Sequence, residues 1–344
     1  MRAFGVVEYG KPLVELDVPE PKLEPGYALL EVVTCGVCFS DVKTSRGKMP
    51  FSDDLQLPHI PGHEICGRVL AADPPGVFEP GELVIVYQYW SCGRCRRCQN
   101  GEENLCLDLK SWVGFTDPGG FQERLSVPLD RIFRLPEGID PVAAAPMTCA
   151  VGTAYRATVT RGAVRPGSTV AVVGLGGVGI HSLQVAVAAG ATAVGLDVSP
   201  RTLEVARGLG LQAKDGREFD QRHSGIPAVE NEGFDVVIVT AGAQAAYQQA
   251  GEIVRKGGRI VCVGYALDLD IAVASPQAVL GEIEVVGSRY VTRGELGRAI
   301  ELVRLGLVTP VVGSVRPVSD VNKAFEALEA GEVVGRTVLR VSDA

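Results

Sequence analysis

The chain has 344 residues, enough for about two domains, and its 46% hydrophobic and 22% charged content is that of a globular protein. Lys and Arg number 33 against 41 Asp and Glu, a net charge of -8 that argues against nucleic acid or an anionic membrane surface as the main partner. No apolar run approaches the roughly 18 residues that span a bilayer, the opening MRAFGVVEYGKP has no signal-peptide core, and the 9 cysteines, four of them in one short segment, favour metal over disulfide, so a reducing cytoplasm is the expected compartment.

The N-terminal part reads as β-rich. Short apolar alternations such as ALLEVV at residues 28–33 are separated by proline and glycine. CGVCFSD follows at 35–41 and IPGHEICG at 60–67. Cys38, His63 and Glu64 are ligand types that zinc accepts. Their separation is unremarkable by itself, and a small core thiol and a satisfied loop histidine account for them equally well. The next stretch differs. Cys92, Cys95, Cys98 and Cys106 spell C-x2-C-x2-C-x7-C among arginine, glutamine, asparagine and glutamate. Packing does not call for four thiols in polar surroundings, whereas a tetrahedral structural zinc site does.

Residues 170–197, VAVVGLGGVGIHSLQVAVAAGATAVGLD, predict a buried strand, a glycine turn, a helix over 178–189, a second strand and a closing acid. Gly174, Gly176, Gly177 and Gly179 serve the tight turn, the approach of backbone to a pyrophosphate, and helix–strand packing, with Val178 between them. The helix N-terminus offers N–H groups and a positive dipole end to that pyrophosphate. Asp197 is placed to accept hydrogen bonds from the ribose hydroxyls of NAD. Downstream, Ser199 and Pro200 start a helix carrying Arg201. Residues 213–233 read as loop and helix, 234–242 as a buried strand, 258–264 as a fourth strand that includes Val263, and 284–287 as a last one.

Taken together, these motifs make the chain resemble the zinc-containing medium-chain alcohol dehydrogenase family along essentially its full length. The resemblance rests on CGVCFSD, GHE, the four-cysteine lobe, GGFQE at 119–123, PMTCAVGTAYRA at 146–157, the glycine turn, and VGRTVLRV at 334–341. It implies an α/β protein: a doubly wound parallel Rossmann sheet over 151–287 and a β-rich GroES-like catalytic domain from 1–150 and 288–344, with the structural zinc lobe at 90–108. It also implies two zinc ions per chain. Cys38, His63 and Cys149 match the ligands of a catalytic zinc with an open fourth position, and Glu64 matches the adjacent acid that approaches it. Cys92, Cys95, Cys98 and Cys106 match the structural site. Asp41 fits a carboxylate that orients the ligand histidine and fixes its tautomer. Ser40 matches the hydroxyl that takes the proton of the alcohol. Arg336 matches a late arginine that contacts the cofactor pyrophosphate and pairs with Glu64; Arg201 and Val263 complete the expected cofactor contacts.

Departures are visible as well. Phe39 stands where many relatives carry histidine and is left to pack. Lys43 occupies the place where some relatives end a proton relay with histidine, so water is expected to finish that path. His59, His181 and His223 have no part in the motifs, and Cys35, Cys66 and Cys262 read as core. Tyr87, Trp90 and Trp112 are pocket candidates by position. The implied activity is reversible, NAD-linked oxidation of an alcohol to an aldehyde or ketone by a homodimer or homotetramer. A polyol dehydrogenase, an enoyl- or quinone-type reductase on the same fold, and a non-catalytic NAD-binding member are the rivals. The cysteine at 149 leans away from the polyol branch, and the intact zinc ligands away from the other two.

Overall fold

The computed structural model describes residues 1–271 and 273–342. Among them, no helix is long and apolar enough to cross a membrane. The chain divides into two compact units.

The first unit comprises Met1–Cys149, Thr292–Gly297 and the chain from Val312 onward. Its organising element is the 11-residue strand Tyr27–Val37, which alternates buried and half-buried side chains at first and is fully buried at its end. It pairs antiparallel with Glu64–Ala72 on one edge and with Arg124–Pro128 and then Arg336–Arg340 on the other, which satisfies its backbone along its length. The sheet runs in the order Val312–Pro317, Arg336–Arg340, Tyr27–Val37, Glu64–Ala72, Leu83–Val86, Ile132–Arg134, with Arg124–Pro128 branching from Tyr27–Val37. Leu30, Val32, Ile65, Val84, Phe121 and Leu339 fill its core. The register places Gly36 opposite Glu64, and a Cβ at Gly36 would collide with the Glu64 carboxylate.

The second unit comprises Ala150–Val291 and Arg298–Val311. Six parallel strands lie in the order Ala213–Asp215, Thr192–Asp197, Thr169–Val173, Phe234–Val239, Val254–Cys262, Glu284–Gly287. The chain moves outward from Thr169–Val173 in one direction and then returns to build the other half. The strand order therefore reverses beside Thr169–Val173, where doubly wound sheets bind ligands. Thr169–Val173 is buried throughout, as the apolar run from Val170 to Val173 requires, and the Thr169 hydroxyl is satisfied by Asp235.

Two boundaries differ from the sequence reading. The short strand Ala213–Asp215 lies inside the stretch read as loop and helix; three half-polar residues give no periodic signal. Residues 288–344 do not all join the first unit: Ser288–Val291 and Arg298–Val311 belong to the second, because the chain passes between units more than once.

Candidate active site

The end of the central strand delivers Cys38 to the N-terminus of the short helix Phe39–Ser45, where it is the N-cap residue. Asp41, fully buried in that first turn, fixes three groups at once. It accepts the Cys38 N–H at 2.8 Å, the Gly62 N–H at 3.2 Å and the His63 Nδ1–H at 3.0 Å. Donation from Nδ1 leaves the His63 Nε2 lone pair for a ligand. Glu64 opens the strand Glu64–Ala72, and Cys149 closes the first unit before the helix Ala150–Tyr155. Ligand atoms of Cys38, His63, Glu64 and Cys149 all lie within 4.8 Å of one another, and Arg336 donates from Nε to Glu64 at 2.8 Å and from Nη2 to the Cys38 sulfur at 3.5 Å.

The electrostatics of this cluster point to a cation. The Cys38 thiol is held well below the usual thiol range by a hydrogen bond from Cys149 and by the charges of Arg336 and His63, against the cost of burial. The Cys149 thiol is pushed up by the same bond and by burial. Burial works against a charged His63, yet the Asp41 carboxylate and its hydrogen bond, with Cys38, raise the ring to about 10. The cluster thus gathers a thiolate and a proton on the imidazole edge that faces it. Nε2 of His63 and Oε2 of Glu64 are buried with no group in hydrogen-bond geometry, although Cys38 is near enough to raise the His63 pKa. A divalent metal satisfies those atoms together by displacing the protons. Sulfur, imidazole and carboxylate donors suit zinc, and a set of three such protein ligands with a fourth position for substrate suits a catalytic site.

Ser40 Oγ donates to the Cys38 sulfur at 3.0 Å, which puts the hydroxyl beside this cluster. Phe39 does not pack inward. It is 48% exposed, with the Lys43 ammonium 6.0 Å from its ring centre. Lys43 is half-buried, and loss of solvent lowers its pKa. An aromatic wall of which only Trp112 stood out in the sequence packs beside His63. Phe115 lies 4.6 Å from the His63 ring, Trp112 packs 4.2 Å from Phe115, and Phe51 lies 5.1 Å from Trp112. Of the three aromatic candidates, Trp112 alone joins this wall. Tyr87 is fully buried and Trp90 packs edge-on to Tyr27. His59 is buried and bonded to the Gly114 carbonyl, and Cys35 and Cys66 are core, whereas Cys262 is half-buried.

The cysteine lobe hangs between the paired strands Tyr89–Trp90 and Ser111–Trp112. The sulfurs of Cys92, Cys95, Cys98 and Cys106 lie within 4.8 Å of one another, and Cys92 and Cys95 N–H groups donate to the sulfurs of Cys106 and Cys92 at 3.3 Å. Backbone donors from Leu107 and Cys98 bring the Cys95 thiol down to about 6. The nearby arginines serve surface pairs, Arg94 with Asp108 and Arg97 with Glu102. Four clustered, half-buried thiols fit a structural zinc.

In the second unit, Gly174 ends its strand at φ +88°, a value that L side chains rarely adopt. A Cβ at Gly179 would overlap the Gly174 carbonyl, so the helix Gly179–Ala188 starts hard against the strand. The N–H groups of Gly176 and Gly177 have no acceptor among the described residues. Donors at a helix start suit a pyrophosphate. The Asp197 carboxylate accepts the Leu175 N–H at 2.6 Å and the Ser199 N–H at 2.8 Å, which binds it to the turn it was expected to serve. Val263 follows the strand Val254–Cys262 on the same sheet edge, and Arg201 sits in the first turn of the helix Pro200–Gly208. Arg336, by contrast, is 5% exposed and lies in the first unit against Glu64.

Comparison with known proteins agrees with this geometry. Residues 24–137 match the alcohol dehydrogenase GroES-like domain, and residues 177–304 match the zinc-binding dehydrogenase family. An alcohol dehydrogenase of Geobacillus stearothermophilus is 34% identical over the full length of both chains. Among solved structures, the alcohol dehydrogenase of the archaeon Aeropyrum pernix superposes with a TM-score of 0.90 at 29% identity, covering 99% of this chain and 100% of the other. The acetophenone reductase of Geotrichum candidum NBRC 4597, solved with NAD, gives 0.87 at 27%, covering 99% and 97%. The chain belongs to the zinc-containing medium-chain alcohol dehydrogenase family.

Proposed function

We propose that this chain is an alcohol dehydrogenase that interconverts an alcohol and its aldehyde or ketone, with NAD as the dinucleotide and two zinc ions per chain. The observation that carries the reading is the buried set Cys38, His63, Glu64 and Cys149, with its ligand atoms within 4.8 Å and His63 Nε2 turned toward it without a hydrogen bond. Cys38, His63 and Cys149 would hold the catalytic zinc, with Glu64 in reserve; Cys92, Cys95, Cys98 and Cys106 would hold the structural one. When bound, zinc supplies Lewis acidity toward the substrate oxygen, and the dinucleotide accepts or returns the hydride.

The protein's own groups do the rest. Asp41 fixes the His63 tautomer and the Cys38 backbone. Arg336 offsets the buried charges of Cys38 and Glu64, which would otherwise have to stay protonated. Ser40 Oγ is the group that accepts the alcohol proton. The rings of Phe51, Trp112 and Phe115 line the approach to His63 and favour a substrate with an apolar flank over a polyol. The turn from Gly174 to Gly179 and Asp197 hold the pyrophosphate and the ribose.

A homo-oligomer fits the open sheet edge Glu284–Gly287, where Val285 is 43% exposed, and the neighbouring helix Ser275–Leu280, where Leu280 is 78% exposed. A cytoplasmic location fits the cysteine usage. The test is a screen of alcohols, aldehydes, enones and polyols against NAD and NADP, with zinc counted in the same preparation. Activity confined to enones, or no turnover with zinc present, defeats the reading.

A further inference from the structure

We propose that His181 is a positioning residue for the dinucleotide, and that it acts by holding the glycine turn through its Nδ1–H. The inference rests on the dehydrogenase reading above and assigns a role to a side chain that no motif explains. His181 is fully buried on the helix Gly179–Ala188. Its Nδ1 lies 2.6 Å from the Gly177 carbonyl, and its Nε2 accepts the Val311 N–H at 2.9 Å. An acceptor at Nε2 requires the proton at Nδ1, so the ring is the neutral Nδ1–H tautomer and donates to Gly177.

The neighbours repeat this arrangement. Ser182 Oγ donates to the Val178 carbonyl at 3.1 Å. One turn on, Gln184 clasps Thr309 from both sides, donating to its carbonyl at 3.0 Å and accepting its N–H at 2.7 Å. Side chains of one helix thus draw two turn carbonyls inward and anchor the helix to the segment at 309–311. In a trans peptide the N–H points opposite to the carbonyl, so holding the Gly177 and Val178 carbonyls inward turns the Val178 and Gly179 N–H groups outward, and neither has an acceptor among the described residues. The turn carries four glycines in six residues, so its unbound freedom is large and fixing it costs entropy. A buried side chain that donates to the turn carbonyl removes that freedom before the ligand arrives, which raises affinity by preorganisation.

The experiment is NAD binding by titration calorimetry, with urea unfolding alongside, for the unmodified protein and four variants. Asparagine places its amide donor where Nδ1 is but does not reach Val311; glutamine reaches outward but moves the donor away from Gly177. His181→Leu and His181→Gln are expected to weaken NAD binding about tenfold, with kcat at saturating cofactor unchanged within about twofold. His181→Asn should stay within about threefold of the unmodified Kd although it unfolds earlier. Ser182→Ala, a mild change that keeps the fold, should weaken binding about threefold. Equal Kd values for His181→Leu and Ser182→Ala and the unmodified chain overturn the inference. So does His181→Asn falling as far as His181→Leu, since that would reduce the ring to packing. An unmodified protein that binds neither NAD nor NADP overturns the dehydrogenase reading instead, so the two failures are distinct.

Discussion

Arg336 and Glu64 form a buried ion pair, Nε to Oε1 at 2.8 Å, with 6% and 0% of their side chains exposed. They come from strands that flank Tyr27–Val37: Glu64 pairs with Gly36, and Arg336 precedes Thr337, which pairs with Val37, so the two side chains meet on a diagonal at the end of the central strand. Burial raises the Glu64 pKa, and the Arg336 charge offsets part of that rise. Removing one partner strands a charge in a dry site. Arg336→Met should destabilise the fold by about 3–5 kcal/mol. Adding Glu64→Gln to Arg336→Met should restore more than half of that loss, because the stranded carboxylate is gone. Urea unfolding of the two singles and the double checks this; strictly additive losses would show that the two side chains do not stabilise each other.

Asp41 should matter to metal more than to folding. Asp41→Asn keeps the shape and one acceptor but removes the charge that holds the His63 tautomer. Loss of such a partner costs about 10–100-fold in metal affinity. Competition with a zinc chelator should therefore strip the catalytic metal from Asp41→Asn at lower chelator concentration, while the lobe zinc is retained. Simultaneous loss of both metals would contradict the separation of the two sites.

The cysteine lobe should fail differently. Cys95→Ser is expected to lower the melting temperature, since a loop with little core depends on its metal, whereas Cys38→Ser should abolish turnover and leave the melting temperature nearly unchanged. Acid gives a second route. In the fold the Cys95 thiol sits at about 6, below its ordinary value of 9.0. Its thiolate therefore contributes stability that is fully present above the unfolded value and lost as pH falls through about 6. Zinc content after dialysis at pH 8 and pH 5 is the measurement. Full retention of zinc at pH 5 sinks the claim.

These predictions draw on parts of the molecule that were unequally legible in the sequence. The lobe and the glycine turn could be read directly, because Cys92 to Cys106 and Gly174 to Asp197 each make their site within one short stretch. Cys38, His63 and Cys149 could not be joined by spacing; the fold of an antiparallel sheet brings them together, and resemblance alone pointed to it. Asp41 was visible as a candidate through the same resemblance, since the motif CGVCFSD carries it. Of the wall, Trp112 was a candidate by position, but Phe51 and Phe115 were not, since aromatic residues look alike until their contacts are known. The His181 to Val311 bond links positions 130 residues apart, a distance at which no periodicity gives a signal. Phe39 was read as packing because it replaces a polar residue, but the helix start that caps with Cys38 turns the next side chain outward.

Ser40 and Lys43 should separate in their kinetics. Ser40→Ala removes the hydroxyl that takes the alcohol proton and is expected to lower kcat about 10²–10⁴-fold. Lys43→Ala should lower it far less, because water reaches a half-exposed neighbour of Phe39 and carries the proton away. Burial does lower the Lys43 pKa, which is the direction a relay would need. Lys43→Arg discriminates, since arginine keeps the charge and does not give up its proton. If Lys43→Arg and Lys43→Ala were both as slow as Ser40→Ala at unchanged cofactor affinity, the lysine would belong to the relay.

NAD should be preferred to NADP, with Asp197 as the deciding residue. The carboxylate ends the strand Thr192–Asp197 at the sheet edge where the order reverses. One oxygen already accepts the Leu175 N–H and the other the Ser199 N–H, so the group is held in place and each oxygen keeps a further lone pair. Those lone pairs suit two ribose hydroxyls. A 2′-phosphate brought there meets a fixed like charge and finds no donor on it. Each lost contact to a charged group costs on the order of 1–3 kcal/mol, and about 1.4 kcal/mol is tenfold. The preference in kcat/KM should therefore exceed about tenfold. Arg201 is the counterweight, four residues on at the start of the next helix. Asp197→Gly removes both the repulsion and the anchor of the Leu175 N–H, so NAD should lose more than tenfold while NADP loses less and the ratio inverts toward it. Measuring kcat/KM with both cofactors on the unmodified protein and on Asp197→Gly decides the matter. Equal values for the unmodified protein, or a ratio that the substitution leaves in place, would take the decision away from Asp197.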